Sequence, residues 1–249
     1  MKKQALITGA TSGIGRATAL RLAAEGYDII ATGRRSERLE SLRREIEAAG
    51  GRCTTLTFDV RSEEAVRRNL EPLGRVDLLV NNAGLALGIN PAQGCDLDQW
   101  ETMVDTNIKG LMYTTRMLLP RLIAHGAGAS IVNVGSVAGS WPYPGGNVYG
   151  GTKAFVRQFS LGLRCDLAGT GVRVTDLEPG LCESEFTLVR FGGDQARYDA
   201  TYAGAKPVQP EDIAETIFWL MNQPAHLNIN NLEIMPVSQT WAGFAIHRE

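Results

Sequence analysis

The chain has little that would point to disulfides, metal clusters or membranes. Its four cysteines show no Cys-x-x-Cys spacing, and its three histidines lie far apart in sequence. This pattern favours reduced thiols and no metal site. A formal net charge of -2 provides no field suited to nucleic acid or to an anionic membrane. Because no apolar stretch is long enough for a signal peptide or a membrane span, we expect a cytoplasmic protein.

The composition that remains is that of a globular α/β protein. The chain has 249 residues, of which 44% are apolar and 21% charged, enough for one large domain or two small ones. Strand-like apolar runs alternate with helical patterns, and no repeat or linker interrupts them. This alternation predicts right-handed βαβ units and a parallel sheet. A capping pattern at residues 96–99 predicts a long helix to about Leu119, where Pro120 should kink or end it.

A glycine-rich turn follows the first predicted strand, at residues 5–7, and precedes the first predicted helix. Its glycines have the spacing Gly-x-x-x-Gly-x-Gly. Unpaired amides and the helix dipole at such a turn favour a pyrophosphate, although a plain tight turn would have the same flanks. The residues expected to contact this ligand are Gly9, Thr11, Ser12, Gly13, Ile14 and Gly15.

Two arginines follow the second predicted strand, which ends at Thr32. An NAD site usually has a carboxylate here for the ribose 2′-hydroxyl, whereas arginine accommodates the 2′-phosphate of NADP. Arg34 and Arg35 occupy this position, and no carboxylate stands at the strand end. We therefore favour NADP over NAD; the alternative is that the two guanidinium groups only solvate a helix start.

Two later strand ends also suit a nucleotide cofactor. The third strand is closed by Asp59 and Val60, and Asp59 is either a hydrogen-bond acceptor for an adenine amino group or a turn residue. The fourth strand is followed by Asn82, Ala83 and Gly84. Small and amide residues at the carboxyl end of a parallel strand leave room for a cofactor that lies close to the backbone.

The chemistry is suggested by Tyr149 and Lys153, which are four residues apart on a predicted helix. A tyrosine ionises at about pH 10, so acid–base work near neutrality requires a lowered pKa. A lysine ammonium at about 4 Å would lower it enough. Ser136, at the end of another strand, could place its hydroxyl against the same substrate oxygen. The three residues predict an acid–base site for alcohol and carbonyl interconversion; the alternative is a surface helical pair.

Residues 181–206 lose helical and strand periodicity, as a lid or binding segment does. Arg190 lies in this segment, beside Phe191 and two glycines, and is our candidate for binding a substrate carboxylate; the alternative is an ordinary surface arginine. Asn107 stands inside the long predicted helix, where an asparagine usually faces solvent or bonds back to its own helix.

Taken together, the motifs resemble those of the short-chain dehydrogenase/reductase family over the full length of the chain. The matching motifs are the glycine turn, residues 81–84, Asn107, Ser136, Tyr149 with Lys153, and Pro179 with Gly180. The resemblance implies a doubly wound Rossmann sheet of about seven strands with helices on both faces, and NADP or NAD at the glycine turn. It also implies a single domain at 1–249, a lid at 181–206 and a tail at 237–249.

In that family, a catalytic tetrad corresponds to Asn107, Ser136, Tyr149 and Lys153. The tyrosine donates and accepts the proton, and the serine orients the substrate oxygen. The lysine binds the nicotinamide ribose, and the asparagine anchors a water. Pro179 and Gly180 are then cofactor contacts.

A closer resemblance is to the bacterial NADP-dependent 3-hydroxy acid dehydrogenases, which oxidise serine and allo-threonine and reduce malonic semialdehyde to 3-hydroxypropionate. It rests on residues 31–35, 82–88, 139–149, 153–161 and 224–226 and on the closing tail. It implies a homotetramer built through the long helices and that tail. Two features depart from this pattern: Gly151 replaces a common alanine, and residues 181–185 differ. The alternatives are a reductase of another carbonyl, such as a 3-oxoacyl thioester or a xenobiotic ketone, and a non-catalytic NADP sensor.

Overall fold

The computed structural model describes residues 2–240, and within them the strands form one sheet of seven parallel strands. Its strands, in chain order, are β1 (Gln4–Ile7), β2 (Asp28–Gly33), β3 (Arg52–Thr57), β4 (Leu78–Asn81), β5 (Ser130–Val134), β6 (Arg173–Pro179) and β7 (Asn231–Ile234). They lie in the order β3-β2-β1-β4-β5-β6-β7. This is the doubly wound arrangement, extended by one strand, and it confirms the predicted fold class.

The helices follow the strands in alternation. They are α1 (Gly13–Ala24), α2 (Ser36–Ala48), α3 (Glu63–Leu70), α4 (Leu97–Val104), α5 (Leu111–His125), α6 (Asn147–Asp166), α7 (Glu185–Arg190), α8 (Gln195–Tyr202) and α9 (Pro210–Met221). None of the helices in the described residues combines the length and the apolar composition needed to cross a bilayer.

The sheet is buried on both faces because its strands alternate side chains between two cores. In β1, Ala5 and Ile7 belong to the core that contains residues of α1, α2 and α9. Leu6 points the other way, into the core that contains residues of α3, α5 and α6. The central strands are therefore apolar on both faces, which explains why they appear as continuous hydrophobic runs in the sequence.

The long helix predicted from residue 96 differs from the structure in two ways. It is divided by a π-helical segment, Asp105–Gly110, between α4 and α5. It also continues past Pro120 to His125, so the proline does not end the helix, and the alternative of a kink there stays a prediction. A proline inside a helix costs about 3 kcal/mol. Leu118 and Leu122 flank it and are fully buried, each contributing about 1.5–3 kcal/mol, so packing maintains the helix.

The segment predicted to be aperiodic, 181–206, contains the two short helices α7 and α8 and crosses the carboxyl ends of the strands. Its role as a lid stays a prediction. Residues 241–246, the apolar part of the tail predicted to contribute to an interface, lie outside the described residues.

Candidate active site

A cleft of about 310 Å³ opens at the carboxyl ends of the strands. It is lined by every residue expected to contact the cofactor except Gly15, and by Ser136. Residues of the 181–206 segment complete the wall, among them Cys182, Glu185, Phe186 and Val189, none of which the sequence singled out. In an open parallel sheet, this edge is where ligands bind. No cluster of side chains suited to a metal ion occurs in residues 2–240.

The glycine turn approaches the end of β4 too closely for side chains. Gly9 has a φ of 68°, and a Cβ there would lie 2.9 Å from the Ala83 Cα. The Asn82 amide fixes the turn by donating to the carbonyls of Thr8, at 2.9 Å, and Gly9, at 3.2 Å. Gly15 does not line the cleft; its Cβ position is filled by Asn82 and Gly9. This close approach suits helix–strand packing, and the contact of Gly15 with the cofactor stays a prediction.

The two arginines after β2 both line the cleft, but Arg35 already has an anionic partner. Its guanidinium donates to the Thr11 hydroxyl, at 2.8 Å, and to the Ser12 hydroxyl, at 2.9 Å. It also donates to both carboxylate oxygens of Glu185, at 2.8 and 3.0 Å. Sequence reasoning found no carboxylate at this strand end; the structure brings one from the 181–206 segment, 150 residues further along the chain.

Asp59 lines the same end of the cleft and acts as a turn residue. One of its oxygens accepts from the Arg61 backbone amide at 3.0 Å, and the other accepts from the Arg61 guanidinium at 2.7 Å. Burial alone would raise the pKa of Asp59, but these hydrogen bonds bring it below its usual value. Its predicted contact with an adenine ring stays a prediction.

Ser136, Tyr149 and Lys153 converge at the other end of the cleft. Tyr149 and Lys153 are both on α6, and only 8% and 6% of their surfaces are exposed. The Lys153 ammonium lies 5.8 Å from the centre of the Tyr149 ring and donates to the Val134 carbonyl at 2.7 Å. The Ser136 oxygen accepts from the Ala138 amide at 3.1 Å, which orients the hydroxyl. The spacing of the pair on one helix thus places both groups in the cleft rather than on the surface.

The electrostatics of this group differ from the expectation. Burial raises the pKa of Tyr149 to about 12, while a hydrogen bond with Ser136 and the charge of Arg190 oppose the rise. Burial also lowers the pKa of Lys153 to about 8, against the opposing charge of Asp176. Desolvation therefore dominates the pKa of both groups in this structure, and the expected lowering of the phenol pKa by Lys153 stays a prediction.

Asn107 lies in the π-helical segment and is 2% exposed. Its amide nitrogen donates to the Leu85 carbonyl at 2.8 Å and to the Thr152 hydroxyl at 3.0 Å, and its oxygen accepts from the Leu85 amide at 2.9 Å. It therefore faces neither solvent nor its own helix. The side chain connects the loop after β4 to α6 at Thr152, one residue before Lys153, so it positions the helix that carries the lysine.

Arg190, at the end of α7, lies beside the tyrosine. Its guanidinium is 5.8 Å from the centre of the Tyr149 ring and donates to the Tyr143 hydroxyl at 2.9 Å and the Gly88 carbonyl at 3.1 Å. No carboxylate within residues 2–240 forms an ion pair with it. The arginine thus presents a positive charge next to the acid–base group, where a substrate anion would be close to the reacting carbon.

Behind Ser136, β6 carries two buried carboxyl groups, Asp176 and Glu178, that the sequence did not predict as part of the site. They are 0% and 1% exposed. Burial raises the pKa of Asp176 well above its usual range, and the neighbouring carboxyl group of Glu178 adds to the rise. Gly135 is required between them and Ser136, because a Cβ there would overlap the Asp176 carboxylate.

The fold and this cleft define a class of nucleotide-dependent oxidoreductase, and comparison with known proteins agrees. The short chain dehydrogenase family matches residues 3–191, and the chain belongs to that family.

Similarity to individual members extends over almost the whole chain. It is 58% identical to "Sulfoacetaldehyde reductase 2" of Chromohalobacter salexigens and 56% identical to "Serine 3-dehydrogenase" of Rhizobium radiobacter, over 98% of each chain in both cases. A solved structure described as "The Closed form of serine dehydrogenase complexed with NADP+" superimposes with a TM-score of 0.94 at 50% identity and covers 99% of this chain and 100% of its own.

Proposed function

We propose that this chain is an NADP-dependent oxidoreductase that interconverts a small 3-hydroxy acid and its 3-oxo form. The substrates we expect are of the serine, allo-threonine and 3-hydroxypropionate type. The observation that carries the proposal is a cleft with arginines and hydroxyls at one end and Ser136 and Tyr149 at the other, with the Arg190 guanidinium 5.8 Å from the centre of the Tyr149 ring. The serine 3-dehydrogenase relative, at 56% identity, supports this substrate class.

The residues of the chain fit NADP. A turn without side chains at Gly9 and the start of α1 would receive the pyrophosphate. Arg35, oriented by the Thr11 and Ser12 hydroxyls that accept from it, forms an anion site suited to a 2′-phosphate, and its ion pair with the Glu185 carboxylate supports this assignment. When bound, the reduced cofactor would supply the hydride to the substrate carbonyl carbon, and the oxidised cofactor would accept it in the reverse reaction. The NADP+ complex of the similar solved structure supports the same cofactor.

The proton that the reaction requires is donated and accepted by side chains of the protein. Tyr149, protonated at neutral pH because of its raised pKa, gives its proton to the carbonyl oxygen during reduction and takes it back during oxidation. Ser136 orients that oxygen, and Lys153, with its ammonium fixed by Val134, provides positive charge below the phenol. Arg190 binds the substrate carboxylate and so fixes which carbon faces the nicotinamide site. Phe186 and Val189 contribute apolar side chains to the lining of the cleft.

A second candidate is the reduction of a sulfonate-bearing aldehyde. It is favoured by the 58% identity to a protein named for sulfoacetaldehyde. A sulfonate, like a carboxylate, is an anion that a guanidinium binds, so the geometry at Arg190 suits both. The two candidates differ only in the head group of the substrate.

The test is a substrate panel followed by the absorbance of the reduced cofactor. The panel contains serine, 3-hydroxypropionate, 2-hydroxyethanesulfonate, a 3-hydroxyacyl thioester and 1,3-propanediol, each with NADP and with NAD. We expect the highest kcat/KM for a carboxylate substrate with NADP. A higher value for the sulfonate would establish the second candidate. A preference for the thioester, or no turnover of any member, would refute the proposal in favour of another carbonyl reductase or of a non-catalytic NADP sensor.

The role of Arg190 has a separate measurement. Arg190→Ala should raise the KM for 3-hydroxypropionate by about 10- to 100-fold, because a hydrogen bond to a charged group contributes about 1.5–3 kcal/mol. The KM for uncharged 1,3-propanediol should change little. Arg197→Ala, on exposed α8, is the matched control. An unchanged KM for 3-hydroxypropionate would show that Arg190 does not bind the substrate carboxylate.

A further inference from the structure

The anion site formed by Arg35 already holds a carboxylate of the same chain. Glu185 accepts from Arg35 at 2.8 and 3.0 Å and from Arg38 at 3.0 Å. Its side chain is 26% exposed, and the hydrogen bonds from Arg35, Ser12 and Arg38 hold the pKa of Glu185 below its usual range against the effect of burial. It is therefore ionised at neutral pH.

The donors around Glu185 are those that a phosphate dianion uses: two guanidinium groups and a hydroxyl. We infer that Glu185 occupies the site of the 2′-phosphate of NADP and competes with it for Arg35 and Arg38, which makes Glu185 a determinant of cofactor affinity and selectivity. The inference rests on the proposed use of NADP.

Sharing the site is excluded by the hydrogen-bond capacity of Arg35. A guanidinium has five N–H donors. In the structure, Nε and one terminal nitrogen of Arg35 donate to the Thr11 and Ser12 hydroxyls. The other terminal nitrogen donates to both carboxylate oxygens of Glu185. A phosphate that engages Arg35 must therefore displace an existing partner. Glu185 is the one it repels, because two anions this close disfavour each other.

The exchange does not require α7 to unfold. Glu185 is the first residue of α7, and the N-terminal cap is supplied by Ser184, whose hydroxyl accepts from the Phe186 amide. The carboxylate can rotate away while the cap stays in place. Because α7 ends at Arg190, the exchange takes place on the same segment that carries the proposed substrate cation.

The test compares the dissociation constants of NADP, NAD and adenosine 2′,5′-bisphosphate for the full chain, measured by titration calorimetry at low salt. Glu185→Gln keeps the length of the side chain and removes its charge. We expect it to bind NADP and the bisphosphate about three- to tenfold more tightly, the range of a partly exposed ion pair with two partners, and to bind NAD unchanged. The gain should shrink at high salt, since partly exposed charges are screened.

Glu37→Gln is the matched control. Glu37 lies in the first turn of α2, two residues after Arg35, and is exposed. The substitution Glu37→Gln removes the same charge near Arg35 but leaves its partner Glu185 in place, so we expect the dissociation constant of NADP to change less than twofold.

The outcomes separate this inference from the cofactor assignment. If the unaltered protein binds NADP no more tightly than NAD, the cofactor assignment fails, and this inference fails with it. If it prefers NADP but Glu185→Gln binds NADP equally or more weakly, the inference alone is refuted, and Glu185 instead holds the arginines in place. An equal gain in Glu37→Gln would also refute it, because general charge would then explain the effect.

Discussion

At the scale of single residues, the surroundings of Tyr149 determine the protonation state of its phenol in the free protein. The ring packs against Phe186 at 5.7 Å between centroids and is 8% exposed, so the phenolate would have little solvent around it. The cation that opposes this effect is Arg190, whose guanidinium lies 5.8 Å from the centre of the ring. The resting group is therefore an acid, ready to protonate a carbonyl oxygen, and it becomes a base only as the pH rises.

This gives a pH prediction with a definite sign. Oxidation of 3-hydroxypropionate requires the deprotonated phenol, whose pKa is about 12, so kcat/KM for oxidation should rise throughout the alkaline range. Reduction requires the protonated phenol and should stay flat until the Lys153 ammonium begins to lose its charge near its pKa of about 8, and then fall. The measurement is a pH profile of kcat/KM in both directions.

Tyr149→Phe provides the control for this profile. It should lose about 10²- to 10⁴-fold in rate, the usual contribution of a positioned acid or base, while cofactor binding is kept. Tyr113→Phe, on α5, should leave both properties as they are. If oxidation by the unaltered protein reached a plateau between pH 6 and 7, the pKa of the phenol would lie below its usual value, contrary to the structure.

At the scale of elements, α6 carries the reactive pair and contains glycine at both positions after the tyrosine. The two glycines differ in their surroundings. A Cβ at Gly151 would have no heavy atom within 4 Å, whereas a Cβ at Gly150 would lie 2.9 Å from the Ala138 carbonyl oxygen. Gly150 is therefore needed for packing, and Gly151 is a weak point in the helix.

Gly151→Ala should stabilise the protein by about 0.5–1 kcal/mol, because alanine restricts the unfolded chain and favours the helix. For a domain of this size, the melting temperature should rise by about 1–4 °C, measured by circular dichroism. Gly150→Ala, the matched control, should lower it because of the overlap with Ala138. A fall in melting temperature for Gly151→Ala would show that this turn is not free in the native protein.

Helices, strands and turns could be predicted from the sequence where the local sequence pattern determines them. The parallel strands follow from short buried runs separated by helices, and the glycine turn follows from spacing alone. The course of α5 past its proline could not be foreseen, because the cost is offset by the burial of Leu118 and Leu122, which depends on the sheet they pack against. The π-helical turn that aims Asn107 at Leu85 has no local signal, since its hydrogen bonds reach across the chain.

The site was predictable to the same extent. Residues at strand ends and on one helix face could be assigned to one cleft, because topology brings them together. Glu185 could not be assigned, because its contact with Arg35 joins residues 150 positions apart. The raised pKa of Tyr149 could not be foreseen for a related reason: a spacing of four places Lys153 near the phenol, but desolvation depends on everything packed around the ring.

At the scale of the whole molecule, apolar side chains remain on the outer faces of α5 and α6. Met112 and Ile123 on α5 are 39% and 41% exposed, and Leu161 on α6 is 36% exposed. Both helices cover the same face of the sheet, since Leu118 and Leu163 share one core. Exposed apolar groups on these two helices are consistent with the homotetramer that we expect from the resemblance.

A charge in this surface should therefore reduce the size of the assembly. We expect light scattering after gel filtration to give about four times the chain mass of 27.0 kDa for the unaltered protein. Leu161→Arg should give a smaller species, because each copy of the interface would bury an unpaired guanidinium. Leu97→Arg is the control: Leu97, at the start of α4, is 67% exposed, so this variant should keep the mass of the unaltered protein. A tetramer that withstands Leu161→Arg would place the interface on another face, and a monomeric unaltered protein would leave the apolar face of α5 and α6 without this explanation.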